Sequence, residues 1–112
     1  MSNVFIHLPA KELWTVDCYK FIKDHIQEGD KLHFINCSIA PLVQKYFENY
    51  QCYCYESLYN RFGAIGVEAE WESIIEDCSK FIGFMGATDL PPRPFLIAAK
   101  HIEDNQIFYK LL

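Results

Sequence analysis

Val4-Phe5-Ile6-His7-Leu8, stopped by Pro9, and Lys31-Leu32-His33-Phe34-Ile35-Asn36-Cys37 are two short apolar runs separated by a stretch of different period. Between them Trp14, Cys18, Phe21, His25 and Ile26 recur at helical spacing. Asp17, Lys20, Lys23, Asp24 and Gln27 fall on the opposite side. The spacing predicts a helix over 11–26, closed by Glu28-Gly29-Asp30 with glycine where chains leave a helix in the left-handed region. Strand, helix and strand in that order argue for parallel pairing, since a helix is the usual crossover between parallel neighbours.

Further along, the alternation continues. Ser38 can cap and Pro41 suits a first turn, so a second helix is expected to run to about residue 49, burying Leu42, Val43, Tyr46 and Phe47. Gln51-Cys52-Tyr53-Cys54-Tyr55 reads as a third strand. Tyr55, Leu58, Tyr59 and Phe62 have helical spacing before Gly63, but a strand continuing to Leu58 fits the same residues. Over 67–82 the stripe Val67, Trp71, Ile74, Ile75, Cys78 and Phe81 predicts a third helix. Residues 83–94 read as a loop with three prolines. The segments 95–102 and 107–112 read as strands joined by Glu103-Asp104-Asn105-Gln106, a hairpin signal. The expected architecture is one α/β domain over 1–112: a mixed, mainly parallel sheet of about five strands, three or four helices and a C-terminal β-hairpin. A chain of 112 residues is long enough to bury one core.

Composition narrows the function classes. Hydrophobic residues make up 51% and charged residues 22%, a globular balance. Fifteen acids against ten bases leave a net charge of −5, and only Arg61 and Arg93 are arginines. Such a surface is a poor grip for phosphates, so neither nucleic acid nor an anionic membrane is an expected partner. The five cysteines are odd in number and sit in apolar runs. The first residues lack the basic and apolar regions of a signal peptide, and no apolar stretch approaches the ~18 residues that span a bilayer. A soluble protein of the cytoplasm, monomeric when unbound, is expected.

The residues that could do chemistry are sparse. Gly29, Gly63, Gly66, Gly83 and Gly86 form no phosphate-cradling loop. Cys52-Tyr53-Cys54 puts two thiols on one strand face, but no second pair stands at zinc spacing, so neither a metal nor another cofactor is expected. Cys37 is the best nucleophile candidate. It would end the second strand just before a helix N-terminus, where thiol pKa falls and open sheets bind ligands. No base follows until Lys45, and a core Cys37 beside a capping Ser38 explains the same residues. His7, His25, His33 and His101 are scattered and read as histidines in or near the core. The expectation is a protein that is not an enzyme, with a small cytosolic enzyme using Cys37 as the alternative.

One charge pattern stands out. Between Arg61 and Lys80 there is no base, while Glu68, Glu70, Glu72, Glu76 and Asp77 all fall there. Glu68, Glu72 and Glu76 would stack at i, i+4 and i+8, and each such like-charge pair costs a helix ~0.2–0.5 kcal/mol. The bland account is a solvated helix face. The sharper one is a surface that steers a basic protein into contact, with Tyr53, Tyr55 and Tyr59 as aromatic anchors.

A small, acidic, aromatic-rich α/β chain with the acidic segment 68–77 and the tyrosine run 50–59 resembles the immunity proteins and antitoxins that bacteria hold against nuclease toxins, such as those of contact-dependent growth inhibition systems. The resemblance is one of kind, without a shared motif. It implies a stoichiometric inhibitor that occupies the basic cleft of a cognate toxin, through Glu68, Glu70, Glu72, Glu76, Asp77, Tyr53, Tyr55 and Tyr59. An acidic adaptor subunit would carry the same surface.

Overall fold

The computed structural model of the chain describes residues 2–7, 15–35, 45–55, 72–85, 93–103 and 106–111. Five strands form one sheet: β1 (Asn3–His7), β2 (Lys31–Ile35), β3 (Gln51–Tyr55), β4 (Lys80–Met85) and β5 (Ile107–Leu111). Their spatial order is β3-β2-β1-β4-β5, and every neighbouring pair is parallel. The chain therefore starts at the centre, winds out to β3, returns beside β1 as β4 and winds out the other way to β5.

Each face of the sheet carries its own apolar layer. On one face Val4, Ile6, Leu32, Phe34, Ile82 and Phe84 pack against Cys18, Ile22 and Ile26, with Phe47 completing the layer. These come from helix α1 (Val16–His25), the residue that follows it, and a 3-10 turn, Lys45–Phe47. On the other face Phe5, Ile35 and Phe81 pack against Ile75 and Cys78, and against Ile97 and Ala98 of helix α2 (Arg93–His101). Residues 72–75 form a single helical turn on that side. Burial on both faces is what a parallel sheet needs, and it explains why its strands read as near-continuous apolar runs.

Local chemistry sets the ends of α1. Thr15 is its N-cap, and Thr15 Oγ1 accepts from the Cys18 amide at 3.2 Å. Past the helix, Gly29 takes φ 90°, a conformation that suits only glycine at low cost. Asp30 then turns inward. Its carboxylate accepts from the Ser2 amide at 3.0 Å and the Gln27 amide at 2.8 Å, which ties the start of β1 to the turn before β2.

Several expectations are corrected. The sheet is wholly parallel rather than mixed, and there is no C-terminal hairpin: residues 93–101 are helix α2, and β5 pairs parallel with β4. A short apolar run such as Phe95–Ala99 fits a buried strand or a buried helix equally in periodicity. The helix wins because Phe95, Ala98 and Ile102 lie at i, i+3 and i+7 toward the sheet, while Leu96 is half exposed. The helix expected over 67–82 is cut short at 75, since 80–85 is strand β4. Residues 83–85, expected in a loop, belong to that strand. The second helix is a 3-10 turn where described, and Tyr46 points to solvent instead of the core. Cys54, expected on an apolar face, is exposed.

Candidate functional site

Phe5, His33 and Tyr53 are each the third residue of their strands, and the parallel register aligns them across β1, β2 and β3. Neighbouring strands stand about 4.8 Å apart, so aligned rings can stack at that spacing. They do: Phe5 and His33 have centroids 4.3 Å apart at 6°, and His33 and Tyr53 have centroids 4.8 Å apart at 14°. His33 Nε2 donates to Asn3 Oδ1 at 3.1 Å, which sets its tautomer. Burial, with Lys31 adding to it, pushes the imidazole down to about 4, so it is neutral at pH 7. At the sheet edge Gln51 Nε2 donates to the Tyr53 hydroxyl and holds the outermost ring.

Alongside this column lies an open concavity of about 310 Å³, lined among the described residues by Asn3, Phe5, Lys31, His33, Tyr53, Ile74 and Asp77. Asp77 arrives from the turn that leads into β4, beneath which Ile74 and Ile75 anchor on the sheet. Glu72, Glu76 and Asp77 are all exposed on this short segment. Set against them, Lys31 supplies a single ammonium at the rim.

Two of the residues expected to meet a partner, Tyr53 and Asp77, are thus brought together from segments far apart in the chain. Glu72 and Glu76 flank them without lining the concavity. Tyr55 closes β3 opposite Ile35. Glu68, Glu70 and Tyr59 lie outside the described residues, as does Cys37. Glu76 and Asp77 occupy a turn, so the i, i+4, i+8 helical stack of glutamates does not extend to Glu76. Sequence reasoning missed Asn3, Phe5, Lys31 and His33. A signal was present: Asn3-Val4-Phe5, Lys31-Leu32-His33 and Gln51-Cys52-Tyr53 share a polar–apolar–aromatic pattern that aligns once the strands are known to be parallel.

A second region follows from topology. In open parallel sheets the ligand crevice lies outside the carboxyl ends of the strands where the winding reverses, here β1 and β4. His7 ends β1 there, almost fully buried, and burial pushes it down to about 4. The connections that leave these strand ends, 8–14 and 86–92, lie outside the described residues.

The fold defines the class: a small, doubly wound, all-parallel α/β domain. No family model, curated protein or solved structure matches the chain. Among the described residues no helix is long and apolar enough to cross a membrane, and no three His, Cys, Asp or Glu side chains are grouped to hold a metal ion.

Proposed function

We propose that the protein is a stoichiometric inhibitor of the immunity-protein kind, which neutralises a basic toxin, a nuclease in the first instance, through the surface around Tyr53 and Asp77. The observation that carries this is that an edge-strand tyrosine, Tyr53, and Asp77 line one concavity, with the exposed carboxylates Glu72 and Glu76 on the same short segment as Asp77. Aromatic anchors in a recess with charges at the rim are the arrangement of energetically dominant interface sites. Exposed carboxylates raise the association rate of a cationic partner and act over the ~8 Å screening length of physiological salt.

The test is genetic, then physical. Products encoded beside this chain's gene are expressed with and without it, and the pair that restores growth is purified. A one-to-one complex is expected, with association that slows under Glu76→Lys and Asp77→Lys, more so at low salt. The same substitutions should leave the free domain within ~0.5 kcal/mol of wild-type stability, because both sites are exposed. If no neighbouring product is toxic, or the toxic one ignores both reversals, the inhibitor reading fails.

The strand order favours a second reading. In the sequence Cys37 comes two positions after Ile35, the last residue of β2, and such folds place ligands outside the carboxyl ends of their strands. Under that reading the chain is a small enzyme, and alkylation of Cys37 alone abolishes an activity.

A further inference from the structure

β5 is an outer strand of the sheet, and the direction of its backbone groups follows from its register with β4. The Phe81 amide donates to the Gln106 carbonyl at 3.0 Å, while Phe81 stands beside Ile107. In a parallel ladder a residue bonds to the two neighbours of the residue it stands beside, and alternate residues turn their N–H and C=O to the same side. The backbone groups of Gln106, Phe108 and Lys110 therefore face β4, and those of Ile107, Tyr109 and Leu111 face outward. Among the described residues no strand pairs with that outer side.

The side chains do not guard this edge. Sheet edges are commonly kept apart by charges, lysine above all, or by proline. The one charge on β5, Lys110, is drawn back to α1, where it pairs with the Asp17 carboxylate and lies over the Phe21 ring. Tyr109 and Leu111 lie on the opposite face, 53% and 54% exposed, with Tyr109 edge-on to Phe95 of α2.

We infer that β5 pairs antiparallel with β5 of a second copy of this chain, about a two-fold axis through Tyr109, so that two sheets join into one. The register is self-complementary. Tyr109 exchanges both backbone bonds with Tyr109 of the second copy, and Ile107 does the same with Leu111 of the second copy. On the α2 face the exposed apolar side chains then meet one another. On the α1 face Lys110 lies beside Phe108 of the second copy, so no like charges stand directly opposite. Charge balance selects a second copy as the occupant: the chain carries −5 overall, yet β5 holds no acid and its one base is matched by Asp17. Such a dimer departs from the monomer expected from the sequence. It is independent of the inhibitor reading, because β3, which carries Tyr53, is the outer strand on the other side of the sheet.

Sedimentation velocity of the full chain from about 5 to about 500 µM should show a monomer giving way to a dimer. Over that range the amides of Ile107, Tyr109 and Leu111 should exchange with deuterium about tenfold more slowly, and those of Phe108 and Lys110 should not change. This alternation is read on the wild-type chain and so does not depend on any variant folding. Tyr109→Lys and Tyr109→Glu should each weaken the dimer at least about tenfold by setting like charges on the axis. An equimolar mixture of the two variants should dimerise about as well as wild type, which requires the two 109 positions to meet. A chain still monomeric at about 500 µM, protection without alternation, a dimer unmoved by both variants, or folded variants that fail to pair with each other overturns the inference.

Discussion

Phe95 lays its ring over the bare backbone of Gly83, so closely that a methyl group at Gly83 would stand 3.1 Å from the Phe95 ring and 3.2 Å from that of Phe81. This approach lets α2 sit down on β4. Phe81 is fully buried, and Phe95 packs edge-on between it and Tyr109, so a methyl group at Gly83 would force both rings to shift. Gly83→Ala gains ~0.4–1 kcal/mol from a stiffer unfolded chain, but overpacking costs ~1–3 kcal/mol. A net loss of about 1 kcal/mol is expected, seen as a Tm lower by roughly 4–6 °C. Adding Phe95→Leu should make the second change cost less than it does alone, because the crowded ring is gone. An unchanged Tm for Gly83→Ala would show that α2 does not press on β4.

Asp30 is the next point of leverage. It is 3% exposed and satisfies two backbone amides, those of Ser2 and Gln27. Asp30→Ala leaves both donors without an acceptor in a partly buried site, at ~1–3 kcal/mol each. Urea unfolding should show a loss of ~2–4 kcal/mol. Asp30→Asn should fall between, since one amide oxygen can serve only one of the donors well and the NH2 faces the other. A loss below ~0.5 kcal/mol for the alanine variant would mean that the turn before β2 does not hold β1.

Acid should destabilise the fold before most carboxylates titrate. Burial lowers His7 from 6.5 to about 4, and burial with Lys31 does the same to His33. Between these values the unfolded chain binds protons that the native state refuses, so stability is full above pH 6.5 and falls as pH drops toward 4. For His7 the loss is on the order of 3 kcal/mol across that window. His33 is half buried and contributes less, because solvent screens it. Chemical denaturation at steps from pH 7.5 to 4.5 measures the slope, and His7→Gln should flatten it. A wild-type curve flat from pH 7.5 to 5 would contradict neutral burial of His7.

Thiol reactivity should rank by position. Cys54 is exposed, Cys52 is half buried with its thiol pushed up by burial and by Cys54, and Cys18 is buried. Cys78 is pushed up to about 12 by burial, and its Sγ donates to the Lys80 carbonyl at 3.0 Å. Iodoacetamide at pH 8, followed by mass spectrometry, should label Cys54 well before Cys78, which should need denaturant. Equal labelling rates would mean that the segment before β4 does not pack on the sheet.

How much of this was legible depends on the residue. Gln51–Tyr55 as a strand, Gly29 as the helix stop and Asp77 as an exposed acid were all readable from local pattern. The helix at 93–101 was not, because a run that is apolar almost throughout loses the period that separates helix from strand. Phe81 misled for a related reason. It lies at helical spacing from Ile75 and Cys78 and joins them in one apolar layer, but it does so from strand β4 across a turn.

The sequence by itself determined that strands and helices alternate, that the surface is acidic, and that Tyr53 and Asp77 lie on exposed-prone segments, since composition and period act locally. Only the tertiary structure decided that β4 returns beside β1, that β5 runs parallel to it, and that Tyr53 and Asp77 line one concavity beside the Phe5–His33 stack. Strand order and register arise from pairing between segments dozens of residues apart, through backbone hydrogen bonds that carry no side-chain identity. The aromatic column exists because that register sets three third-position residues side by side.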